Sequence, residues 1–213
     1  MERRAAAEAV GTAFLLAAVI GSGIMGERLA GGNIAIALLA NSIATGGILV
    51  CLIAALGPIS GAHFNPAVSI ADALRGGLSW NDAAVYVAAQ VSGAIAGVAV
   101  ADTMFGLPAL FASHHARTGM PQWLGEFVAT FGLLLVIWGC ARFRSPLISF
   151  AVAGYIVAAY WFTSSTSFAN PAVTIARSFS DTFAGIRLQD APGFVIAQLC
   201  GALCATLLFA WLV

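Results

Sequence analysis

Two short apolar stretches constrain this chain more than anything else in it: NPAVSIADAL from Asn65 and NPAVTIARSF from Asn170, nearly identical and in opposite halves. Each is about ten residues long, half of the ~20 apolar residues needed to cross a hydrocarbon layer as a helix. Turn-forming residues precede both, Gly57-Pro58-Ile59-Ser60-Gly61 in the first case and the polar run Thr163 to Ser167 in the second. Pro66 and Pro171 fall at the first helical position, where a missing N–H costs nothing, and Asn65 and Asn170 precede them as N-caps. The pattern predicts two half-helices that start at membrane depth.

A membrane is the setting because 61% of the 213 residues are hydrophobic and 8% charged, too little polar surface to cover a water-soluble domain. Six full spans are expected, at about 5 to 26, 34 to 57, 82 to 104, 122 to 142, 145 to 163 and 191 to 213. The N-terminal run resembles a secretory signal, but Glu8 lies inside it and its companion repeat lies mid-chain, so it reads as a retained first span. The expected fold class is an all-α membrane protein, with one integral domain over 1–213 and repeats at about 1–110 and 120–213.

The duplication reaches beyond the half-helices. Glu8 to Thr12 reads EAVGT and Glu126 to Thr130 reads EFVAT, while AAQVSGA ends at Ala94 and IAQLCGA at Ala202. With three full spans per half, an odd number, the second half enters from the opposite side. The result is an inverted repeat whose half-helices meet near the midplane. If both termini are cytoplasmic, the inner arginines are Arg3, Arg4, Arg75, Arg142 and Arg144, against Arg28, Arg117, Arg177 and Arg187 outside. That is a faint positive-inside signal for cytoplasmic termini.

Irregular backbone at membrane depth is tolerated only in protein or beside a watery cavity, so the segments before Asn65 and Asn170 mark a pore. Each half-helix brings about half a positive charge to one place. A cation ~4 Å from both ends, at an effective dielectric of 20, meets repulsion on the order of 4 kcal/mol, roughly a thousandfold exclusion that spares neutral solutes. The two Asn carboxamides can cap their helices and also donate N–H to a passing oxygen. Intramembrane Glu8 and Glu126 are candidates either for proton coupling or for accepting the exposed N–H groups before the half-helices; their symmetric placement favours the second. Gln90 and Gln198 read as interhelical hydrogen-bonding groups, aided by close packing at Gly93 and Gly201.

These residues, above all SGAHFNPAV from Ser60 to Val68, resemble the aquaporin and aquaglyceroporin (major intrinsic protein) family over essentially the whole chain. The resemblance implies six tilted helices plus two half-helices, a passive channel in each protomer, and a homotetramer. Most members continue the second motif as NPAR; here Val173 stands in the Arg position. Carrying the other constriction positions over by spacing gives Thr45, Ala158 and Ser167, a set without ring or charge that predicts passage of solutes larger than water. A neighbouring ring, from Phe64, Phe168, Trp161 or Phe162, could refill the gap. Arg177 lies one helical turn beyond Val173, and its counterpart in the first repeat is Asp72; both are pore-mouth candidates, as is His63. His114 and His115 are expected on a solvated loop.

With Val in that position, the second motif is similar to the bacterial aquaglyceroporin branch associated with arsenic resistance. This implies downhill passage of neutral trivalent arsenicals, glycerol-like polyols and water across a bacterial inner membrane. Two rivals are a coupled secondary transporter using Glu8 and Glu126, and a strictly water-selective channel. A closed, junction-forming member is a third, disfavoured by the small filter residues. No enzyme, cofactor, metal or nucleic-acid partner is expected, since neither a catalytic constellation nor a basic patch is present and all nine basic residues are scattered Arg. Cys51, Cys140, Cys200 and Cys204 read as small packed hydrophobes.

Overall fold

A computed structural model describes residues 1–213. It is built from eight α-helices and two single 3-10 turns: α1 (Glu2–Leu29), α2 (Ile34–Ser60), α3 (Pro66–Leu74), α4 (Trp80–Met104), α5 (Met120–Arg142), α6 (Ile148–Phe162), α7 (Pro171–Ala176) and α8 (Ala191–Leu212). Five helices have the length and apolarity to cross a bilayer. The sixth, α6, has 15 residues and rises only about 22 Å. It lies inside the expected span at about 145–163, shorter by three residues at the start and one at the end. Pro146 cannot continue a helix upstream, and the chain becomes extended at Thr163.

The two halves pack alike. Helix α1 lies against α2 and α4, α5 lies against α6 and α8, and α2 meets α6 across the repeat. The half-helices interlock, since α3 and α7 each touch both α4 and α8 and also touch each other. Close approach depends on glycine: a Cβ on Gly93 or Gly97 would run into the Ala9 and Ala13 carbonyl oxygens of α1, and one on Gly201 would meet the Phe127 carbonyl of α5. Small residues at these crossings let backbones come together where lipid provides no hydrophobic drive for association.

Two expectations need correction. Gly57-Pro58 does not turn the chain; α2 continues through Pro58 to Ser60 and ends at Gly61, whose φ of 87° is left-handed. A proline in the last turn removes one backbone bond without stopping the helix, and the glycine supplies the reversal. The cysteines are not packed inside. Cys51, Cys200 and Cys204 are exposed on the protein's outer face and Cys140 is half-buried, because helices bathed in lipid turn apolar residues outward as readily as inward.

Candidate functional site: a cavity between two half-helices

Asn65 and Asn170 cap α3 and α7 with their side-chain oxygens, Asn65 accepting from Ala67 N at 2.9 Å and Asn170 from Ala172 N at 3.0 Å. Their amide nitrogens cross the repeat. Asn65 Nδ2 donates to the Ala169 carbonyl and Asn170 Nδ2 to the Phe64 carbonyl, each at 2.7 Å. Each carboxamide therefore spends one of its two N–H groups on the residue preceding the other Asn. The second remains for whatever occupies the cavity that both side chains line.

The segments before the half-helices are held in an unusual backbone shape. Ala62, Phe64, Ser167 and Ala169 all have φ between 48° and 52°, at matching places in the two repeats. For residues with a Cβ this region costs on the order of 1 kcal/mol or more each. Buried carboxylates offset that cost. Glu8 Oε1 accepts from His63 N at 3.0 Å and Ser60 Oγ at 2.6 Å, and Oε2 from Phe64 N at 2.7 Å and Gln90 Nε2 at 2.8 Å. Glu126 takes Phe168 N and Ala169 N, both at 2.8 Å, and Gln198 Nε2 at 2.6 Å. Gln90 and Gln198 bond onward to Ser69 and Thr174 of the half-helices at 2.9 and 2.8 Å. With N–H groups drawn to the carboxylates, the carbonyls of Phe64 and Ala169 are free to face the opposite Asn.

One cavity of about 1130 Å³, counting its open ends, touches both Asn residues and extends to Asp72 and His63 in one direction and Arg177 in the other. Thr45, Ser167 and Val173 line it. Ala158 does not; it is exposed on the outside of α6, correcting the assignment made by spacing. The inward stripe of α6 is Ile148, Val152, Ile156 and Tyr160, four residues apart, and Ala158 lies about 200° round the helix from Ile156. The cavity lining is therefore not free of rings. Tyr160 Oη is 3.1 Å from Thr45 Oγ1, and Phe64 and Phe168 also face the cavity. Trp161 and Phe162 point outward, 48% and 56% exposed.

The two ends carry opposite charge. At one, His63 Nε2 is 3.9 Å from Asp72 Oδ2 and His63 Nδ1 is 3.0 Å from Ser69 Oγ. At the other, α7 stops after six residues and Arg177 begins a 3-10 turn. Its buried guanidinium lies 3.4 Å from the Phe168 ring centroid, with Nε donating to the Ala184 carbonyl. Sequence reasoning counted Arg117 as a loop charge. It instead reaches the same ring at 5.2 Å and ties the loop after α4 to residues 183–185 through the Phe183 and Gly185 carbonyls; burial lowers its pKa. That loop is further pinned by Phe111 N to Phe179 O and Ser113 N to Ser178 O, and by His114, whose backbone and ring both bond Asp181. Those two bonds hold the Asp181 carboxyl below its usual range. His114 and His115 are solvent-exposed, as expected for that loop.

A sequence profile described as Major intrinsic protein matches residues 1–145. Aquaglyceroporin AqpS of Rhizobium meliloti (strain 1021) is 58% identical over 212 residues, covering 100% of this chain and 91% of that protein. Aquaporin AqpM of Methanothermobacter thermautotrophicus is 31% identical, covering 100% of this chain and 98% of its own length. Among solved structures, the aquaglyceroporin from Plasmodium falciparum superposes with a TM-score of 0.74 at 20% identity, covering 98% of this chain and 95% of that one. The last likeness speaks to the fold alone, which is aquaporin-like.

Proposed function

The chain belongs to the major intrinsic protein family of integral membrane channels for water and small solutes, and from that premise we propose that its pore is wide enough for uncharged solutes of glycerol size. The observation that carries this reading is Val173: it lines the cavity beside Asn170, and with Thr45 and Ser167 it gives the constriction three small side chains. Tyr160 takes the place that spacing assigned to Ala158. Asn65 and Asn170 guide solute oxygens with their free N–H groups, Pro66, Ala67, Pro171 and Ala172 set the half-helix ends, and the two helix N-termini exclude cations. Glu8 and Glu126 serve as supports for the re-entrant backbone, since fixed backbone N–H groups occupy both oxygens of each.

Neutral trihydroxy species, polyols and trivalent arsenicals alike, share the size and donor pattern this constriction accepts. The relative named an aquaglyceroporin supports the polyol part of this reading. Residues 1–213 act as one channel domain, and four copies form a homotetramer in a bacterial inner membrane with cytoplasmic termini. A strictly water-selective pore is the second reading, favoured by the Tyr160 ring against Thr45.

Stopped-flow light scattering on proteoliposomes decides between them. With an inward glycerol gradient, wild-type vesicles re-swell quickly and Val173→Arg slows them; an impermeant osmolyte reports water in parallel. Fast water flux with no glycerol entry would leave the channel standing and refute the wide pore.

A further inference from the structure

Arg177 is buried to 1% exposure, lines the cavity, and has no carboxylate within ion-pairing reach, since the four ion pairs in the protein involve His63, His114, His115 and Arg187. Only its Nε is hydrogen-bonded within the protein. The two terminal amino groups have no protein partner, yet they are not among the buried polar atoms sealed from water. Ser167 also lines the cavity and is 2% exposed; its Oγ, unlike the Arg177 amino groups, is one of the buried atoms sealed from water, and it has no partner. Arg117 adds a second guanidinium on the Phe168 ring, again with only neutral oxygens as side-chain partners. The acid whose field reaches both cations is Glu126, and its oxygens are taken by Phe168 N, Ala169 N and Gln198.

A buried guanidinium is expensive unless paired, and its planar fork matches a group with two oxygens. We propose that the Arg177 end of the cavity is a docking subsite for a small oxyanion, a monoanion of the carboxylate or sulfonate class. The Arg177 amino groups grip two of its oxygens, the Ser167 hydroxyl donates to one of them, and Arg117 supplies additional positive field. Phe168 fixes the plane of the guanidinium, and the Nε bond to Ala184 leaves the fork facing the cavity. An anion bound there stands in the permeation path and slows neutral solutes. The subsite rests on the channel reading but adds a ligand class that Val173, Thr45 and the Asn pair do not predict.

Methanesulfonate is a suitable probe because it is fully ionised and crosses lipid poorly. Wild-type and variant proteoliposomes are loaded and bathed at constant ionic strength with sodium chloride progressively replaced by sodium methanesulfonate, and the glycerol and water rates of each variant are normalised to its own rate in chloride. Wild type is expected to slow by about threefold or more at saturating methanesulfonate. The half-inhibiting concentration is expected to rise by about tenfold in Arg177→Gln, the loss of one charge-assisted interaction, and by several-fold in Ser167→Ala. A purely structural Arg177 would alter the chloride rate without changing that concentration. No slowing in wild type, or the same half-inhibiting concentration in wild type and Arg177→Gln, would overturn the subsite. If Arg177→Gln does not fold, an unchanged value in Ser167→Ala does so. A wild type that conducts neither glycerol nor water refutes the channel reading separately, and the subsite is then judged by whether methanesulfonate raises the unfolding midpoint in detergent.

Discussion

Replacing Glu8 with Gln swaps one carboxylate oxygen for an amino group while keeping size and shape, and four donors surround that carboxylate: Ser60 Oγ, His63 N, Phe64 N and Gln90 Nε2. Whichever way the new carboxamide is turned, its amino group faces a fixed backbone N–H, His63 N or Phe64 N, beside a side chain that can also accept, Ser60 Oγ or a turned Gln90 amide. With Oε1 accepting from Ser60 and His63, Gln90 can turn its unpartnered Oε1 to the new amino group, and Phe64 N is stranded. Charge-assisted bonds of this kind contribute about 1.5–3 kcal/mol each, so stranding Phe64 N in Glu8→Gln is expected to cost roughly 1.5–3 kcal/mol. The site is completely buried, so solvent does little to soften the loss. At ~2–4 °C per kcal/mol for a chain of this size, the unfolding midpoint in detergent should fall by about 3–12 °C. The damage should be local as well. Phe64 is held at a φ of 48° partly by the bond from its N–H to Glu8, so hydrogen exchange should accelerate at residues 62–69 before the spanning helices are affected. Glu126→Gln should do the same at 167–174. A midpoint and an exchange pattern indistinguishable from wild type would show that Glu8 does not hold the re-entrant backbone in place.

Other consequences follow from the same geometry. Tyr160→Ala removes the ring against Thr45 and should speed passage of polyols longer than glycerol by several-fold relative to water, measured by re-swelling rates; Ala158→Leu, on the outer face of α6, should leave the ratio unchanged. Gly93→Ala drives a methyl into the Ala9 carbonyl where α1 and α4 cross, and is expected to cost about 1–3 kcal/mol or more, seen as loss of monodisperse protein on size exclusion. Asp181 has a folded-state pKa below its unfolded value, chiefly through the backbone and ring bonds from His114. Its contribution is present above the unfolded pKa and lost as pH falls through the lower folded one, so exchange in residues 111–119 should rise below about pH 4 in wild type. Asp181→Asn should flatten that dependence.

The unequal legibility of this chain has a physical origin. Asn65-Pro66 and Asn170-Pro171 announce themselves because capping is local: the Asn oxygen, the proline and the following N–H groups lie within three residues, and sequence spacing is spatial spacing. Glu8 and Glu126 were readable because the repeat supplies two copies of one arrangement, and a buried carboxylate has few fates beyond accepting the N–H groups that irregular backbone leaves unpaired. The cavity lining was less legible because it depends on how α6 is rotated about its axis, and lipid-facing and cavity-facing residues on that helix are equally apolar. Ala158 and Tyr160 differ by two positions, enough to move a side chain from the cavity to the outer surface. The stripe of Ile148, Val152, Ile156 and Tyr160 at four-residue spacing held the information, since the tyrosine hydroxyl needs a partner that lipid cannot give and Thr45 provides it. Arg177 shows the limit of motif reading more sharply. Its displacement one turn past Val173 takes the charge out of the motif, but Arg177 N–H still bonds the Val173 carbonyl as in a continuing α-helix, and its long side chain reaches over Phe168. A cation absent from the motif is thus still present in the cavity, and it is side-chain reach from the end of α7 that puts it there.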